Sequence, residues 1–183
     1  MFFGTLTLLS AAHLVITGSP LSFGLAVYNA LLAIVLAMRD APLRSSTPPE
    51  MALGLAGSLL PFISVVERVP DGQLALLGFA LQVIGLIWMI ASVAALGKSF
   101  GVAPADRGLV ASGPYRVVRH PLYLGELVFY AGVLAARPSV LHLALWIALA
   151  GIQVARLKAE EGVINRYGEY TQAVHWRLVP GVW

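Results

Sequence analysis

Apolar residues run along this chain in long blocks, and charged residues fall mainly between them. Leu21 to Met38 carries no charge, Met51 to Val66 is charge-free with Pro61 inside it, and Phe2 to Thr17 is charge-free but short. The longest block, Gly72 to Leu96, holds 25 residues, about 37 Å as a helix at 1.5 Å per residue. It must therefore tilt within, or project from, a hydrocarbon core of roughly 30 Å. Leu122 to Ala136, which contains Glu126, and Ser139 to Ala155 follow. About 20 apolar residues suffice for a helix to cross a bilayer, so the pattern predicts an all-α, polytopic membrane bundle of five to six transmembrane helices. The first run lacks a basic flank and leads almost directly into the second, so it is expected to be retained rather than cleaved.

Composition agrees. Of 183 residues, 58% are hydrophobic and 11% charged, whereas soluble domains carry about one-quarter charged residues. An ordinary soluble fold and a disordered chain are both excluded. There is no cysteine, which removes disulfides, thiolate metal sites and a cysteine nucleophile. The net charge of +3 reads as membrane orientation rather than nucleic-acid binding. With alternating spans, ten Lys and Arg fall on one side, and only Arg68 and Arg137 fall on the other. Basic loops face the cytoplasm, so the C-terminus is expected to be cytoplasmic in a multi-pass protein of the cell membrane.

The two halves differ. Residues 1–96 read as transmembrane scaffold, whereas 97–183 hold most of the charge, Tyr and His and are expected to form the cytoplasmic catalytic region, with a helical hairpin, within one integrated domain. Ser45 to Pro49 reads as a turn that stops one helix and starts the next. In Leu109 to Gly125, Gly113-Pro114 marks a turn, and Pro121 suits the first position of a helix capped by His120. Tyr123 would approach His120 around the first turn. The free N–H groups there, beside Arg116, Arg119 and His120, suit an anionic ligand group, or the Arg and Tyr side chains meet lipid head groups. In Arg156 to Tyr170, the last apolar run is expected to continue as a helix to about Gly168. Arg156 and Glu160 share a face and Glu161 is turned about 100° away. This pair either holds a charged ligand or is an ordinary surface ion pair worth under about 1 kcal/mol.

Together these segments resemble a family of membrane-embedded methyltransferases that includes isoprenylcysteine carboxyl methyltransferases and phospholipid N-methyltransferases. The resemblance rests on Leu109-Val110 with Gly113 and Tyr115, on Arg119-His120-Pro121-x-Tyr123-x-Gly125, on Arg156 with Glu160-Glu161, and on Tyr167-Gly168 with Tyr170. It covers about residues 96 to 180. It implies S-adenosylmethionine as cofactor, contacted by Leu109, Val110, Tyr115, His120, Pro121, Leu122, Tyr123 and Glu160. It also implies Arg156 facing the substrate, which is expected to be lipophilic; where the chemistry of the acceptor demands loss of a proton, Glu161 or His120 is the expected base. No metal is required. In one departure, the family often has His two residues before the Leu-Val pair, where this chain has Arg107, which cannot act as a neutral acceptor.

Two other classes remain open on sequence alone. Membrane sterol reductases, which use a nicotinamide cofactor, resemble the family in their C-terminal helices, and a non-enzymatic membrane scaffold needs no motif at all. Of the remaining residues, Glu126 is either functional or snorkelling. His13 and His142 read as satisfied core or interface histidines, and His175 with Trp88, Trp146, Trp176 and Trp183 as interfacial anchors. Gly54, Gly57, Gly78 and Gly85 allow close helix packing.

Overall fold

A computed structural model describes residues 4, 5, 7, 8, 11, 12, 15, 20–60, 73–165 and 167–183. The first apolar run, the third beyond residue 60, His13 and Arg68 lie largely or wholly outside the described residues. From residue 20 on, six α-helices follow in order among the described residues: α1 (Pro20–Met38), α2 (Pro48–Leu59), α3 (Gln73–Leu96), α4 (Pro121–Ala136), α5 (Val140–Val163) and α6 (Tyr167–Ala173). Short 3-10 turns cover Gly97–Ser99 and Gly113–Arg116. No strand occurs among the described residues, and a single bridge joins Arg44 to Asp106.

Three helices are long and apolar enough to cross a membrane: Leu21–Met38, Gln73–Ser99 and Val140–Val163. The expected five to six spans are thus met by three among the described residues. Helix α4 has 16 residues, about 24 Å at 1.5 Å per residue, short of the hydrocarbon thickness. It ends where Arg137, Pro138 and Ser139 turn the chain into α5.

The pairing of α3 with α4 organises the rest. The two run antiparallel, with Gly85 against Gly125 and Gly78 against Gly132. A Cβ at Gly85 would come within 2.5 Å of the Phe129 nitrogen, and one at Gly132 within 2.5 Å of the Gly78 carbonyl oxygen. Only hydrogen at these positions permits the approach, as in small-residue packing of membrane helices generally. The principal apolar cluster lies along this seam and α1: Tyr28, Leu32, Val35, Leu86, Met89, Val93 and Phe129. Gly54 and Gly57 seat α2 in the same way, on the Val102 carbonyl and the Arg156 side chain.

The turn before α2 forms as expected, with the Thr47 N–H donating to the Glu50 carboxylate at 2.7 Å. Helix α4 likewise starts on Pro121 with His120 at its N-cap. By contrast, α5 stops at Val163, five residues before the expected end near Gly168. The Asn165 N–H and side-chain amide both donate to Asp106 Oδ2, at 3.2 and 2.7 Å. Those bonds turn the backbone out of the helix and start α6 as a separate element.

Candidate functional site

At one end of α3, α4 and α5 a cleft opens, walled also by the 99–110 loop and α6. It encloses about 90 Å³ and opens to solvent at its mouth. Leu109, Val110, Tyr115, His120, Leu122, Tyr123, Arg156 and Glu160 all line it. Pro121 does not line it; fully buried, it supports the first turn of α4. Glu161 does not line it either, and Arg116 is exposed and stands apart.

Glu160 and Glu161, on successive positions of α5, reach opposite sides of the His120 ring. Glu160 Oε2 is 3.6 Å from Nδ1 and Glu161 Oε1 is 3.3 Å from Nε2. Tyr123 stacks on the same imidazole, with centroids 5.7 Å apart and planes 6° from parallel. Its hydroxyl donates to Glu160. The Tyr167 hydroxyl donates to Glu161 at 3.2 Å and lies 3.0 Å from His120 Nε2. Burial alone would push the His120 pKa down, but hydrogen bonds and charge from Glu160 and Glu161 outweigh it and raise the value, as neighbouring carboxylates do for a cation.

Arg156 is 3% exposed, so its charge must be met by the protein or by a ligand. Its Nη1 donates to Gln153 Oε1 at 3.2 Å and its Nη2 to the Val102 carbonyl at 3.0 Å. The guanidinium carbon stands 4.6 Å over the Tyr123 ring, in cation–π range. The Nε–H is buried with no partner. Gln153 donates in turn to Glu126, so this acid is joined to Arg156 through one amide.

The C-terminal segment holds the His120 end of α4. The Arg119 and His120 N–H groups donate to the Trp176 and Arg177 carbonyls at 2.8 and 2.9 Å. Arg119 is spent on the same segment, donating to the Val174 and His175 carbonyls at 2.9 and 2.6 Å. Arg177 forks onto Glu161, with Nε 2.9 Å from Oε1 and Nη2 3.0 Å from Oε2. The free anion-binding capacity expected of Arg119 and His120 is therefore already used. Sequence reasoning missed Arg177, Gln153 and Tyr167 as parts of the site. Only Tyr167 had a signal, in its aromatic-Gly-x-x-Tyr stretch.

A membrane protein, helical throughout its described residues, whose apolar helices converge on a cleft lined by one carboxylate and a buried arginine is the class that fold and site define. The family model for phospholipid methyltransferases matches residues 73–169, from the first residue of α3 into α6. The chain belongs to that family and is, to that extent, a membrane methyltransferase. No curated protein matches its sequence.

Proposed function

We propose that the protein transfers a methyl group from S-adenosylmethionine to a lipophilic acceptor at the cytoplasmic boundary of the cell membrane. One observation carries the reading: a single cleft at the end of membrane helices presents the Glu160 carboxylate beside Arg156, whose buried Nε–H has no partner. The amino-acid end of the cofactor is a zwitterion, so a site with one acid and open cationic valence fits it. When bound, S-adenosylmethionine supplies an electrophilic methyl group on a sulfonium.

The residues of the chain then have two tasks, alignment of the reacting groups and exclusion of water. The Tyr123 hydroxyl and the His120 ring hold Glu160. Gln153 and the Val102 carbonyl hold two corners of Arg156, leaving its Nε–H to an oxyanion, the bonding that arginine favours. Glu161 stands behind His120, so we assign it to positioning that ring rather than to touching substrate. The lipid enters laterally beside the α4–α5 hairpin, the cofactor from the cytoplasm, to which the Lys and Arg distribution assigns this end.

The test is transfer of radiolabel from S-[methyl-³H]adenosylmethionine to detergent-dispersed phosphatidylethanolamine, N-acetyl-S-farnesylcysteine and a total lipid extract. Wild-type labelling of any of these, abolished in Arg156→Ala, supports the reading. A folded protein that labels none and instead binds reduced nicotinamide cofactors contradicts it.

A further inference from the structure

Arg107 stands in the cleft wall with no acid to answer it. It lines the cleft, and its Nε is buried without a hydrogen-bond partner. No carboxylate pairs with its guanidinium among the described residues, and the charge that acts on it is another cation, Arg39. Asp106, its neighbour in the chain, is spent: Oδ1 accepts from the Gly108 N–H at 3.0 Å and Oδ2 from both nitrogens of Asn165. Burial first and Arg39 second push the Arg107 pKa down.

The loop around Arg107 is fixed rather than loose. The Ser99 hydroxyl donates to the Arg107 carbonyl at 3.1 Å, and Gly108 takes φ +91°, a conformation a side chain would strain. The guanidinium lies against Gly101, where a Cβ would collide with Nη1. A positioned, half-buried guanidinium with no acid partner, facing the cleft with its buried Nε–H unused, suits an anion.

We propose that Arg107 forms an oxyanion subsite of the cleft, binding a carboxylate or phosphate group of the bound ligand. The proposal rests on the cleft being the ligand site, as in the methyltransferase reading. That oxyanion belongs either to the cofactor or to the acceptor lipid, and experiment separates the two.

The full-length protein in detergent is treated with phenylglyoxal, and modification of Arg107 is followed by peptide mass spectrometry. Inorganic phosphate is expected to slow it relative to chloride at equal ionic strength. Calorimetry on the wild type, Arg107→Lys and Arg107→Gln then identifies the source. If the oxyanion is the cofactor's, Arg107→Gln weakens S-adenosylhomocysteine binding about tenfold, equivalent to about 1.4 kcal/mol. The same variant leaves 5′-methylthioadenosine, which lacks the carboxylate, unchanged, and Arg107→Lys recovers part of the loss. If the oxyanion is the acceptor's, S-adenosylhomocysteine binding is unchanged, and phosphatidylglycerol micelles protect Arg107 where neutral alkyl-glucoside micelles do not. Modification that no anion slows overturns the proposal. Phosphate protection in a wild type that binds no S-adenosylhomocysteine overturns the methyltransferase reading alone.

Discussion

The hydroxyl of Tyr123 donates to the carboxylate of Glu160, 37 positions later in the chain. That bond ties the first turn of α4 to the last turns of α5, and it does so beneath Arg156, whose guanidinium stacks over the same tyrosine ring. The two helices thereby acquire a fixed acid and a fixed cation at a common end.

Tyr123→Phe tests that bond while keeping the ring. A hydrogen bond to a charged group contributes about 1.5–3 kcal/mol, so S-adenosylhomocysteine affinity is expected to fall about tenfold or more by calorimetry. Tyr123→Leu, which also removes the ring face under Arg156, is expected to lose more. Equal affinities for wild type and Tyr123→Phe would show that the orientation of Glu160 does not depend on this hydroxyl.

His120 imposes a pH dependence of definite sign. Its folded pKa is raised by Glu160 and Glu161 against the opposing effect of burial. The proton it holds therefore contributes stability that is fully present below the unfolded histidine value of about 6.5 and is lost as pH rises through the folded value. The melting-temperature gap between wild type and His120→Gln is expected to narrow across that interval. In Glu161→Gln, which removes one raising partner, the His120 titration followed by NMR should move to lower pH. A gap that widens with pH would contradict the pairing.

The glycine seam predicts a difference between positions of identical composition. Gly85→Leu would drive its side chain into the backbone of Phe129 and Gly125, whereas a Cβ at Gly151 meets nothing within 4 Å. Overpacking typically costs about 1–3 kcal/mol. Gly85→Leu is therefore expected to lower the melting temperature by several degrees or prevent folding, and Gly151→Ala to leave it nearly unchanged. The reverse order in thermal unfolding would refute the α3–α4 contact.

Glu126 is expected to matter through Gln153. Its removal leaves the fully buried Gln153 amide without an acceptor, at a cost of about 1–3 kcal/mol, and frees the amide to turn away from Arg156. Glu126→Ala should lower stability and weaken S-adenosylhomocysteine binding together, with Glu126→Gln intermediate in both. Glu126→Ala that matches wild type in both would assign Glu126 no part in holding Arg156.

Much of this was legible in residue order because the signals were local. Long apolar blocks defined α1, α3 and α5; a proline after His120 defined the start of α4; small residues at Gly78 and Gly85 marked the seam. The carboxylate pair was readable as adjacent to Arg156, though its convergence on His120 from both sides of the ring was not. What escaped depends on residues far apart in the chain. Helix α5 ends early because Asn165 bonds to Asp106, 59 positions away. Arg177 forks onto Glu161 only after the chain has turned through α6. Arg119 looked free for an anion because nothing nearby in sequence announced the Val174 and His175 carbonyls that occupy it. Arg107 drew notice only as a residue out of pattern, and its isolation emerges from where Asp106 is committed.

The most direct test of the central claim is calorimetric titration of S-adenosylhomocysteine into the detergent-solubilised protein, with Glu160→Ala and Arg156→Ala beside it. Saturable one-to-one binding by the wild type, lost in Glu160→Ala while that variant remains folded by circular dichroism, is the predicted result. A folded wild type that does not bind, or a Glu160→Ala variant that binds as well as wild type, would contradict the assignment of this cleft to the methyl donor.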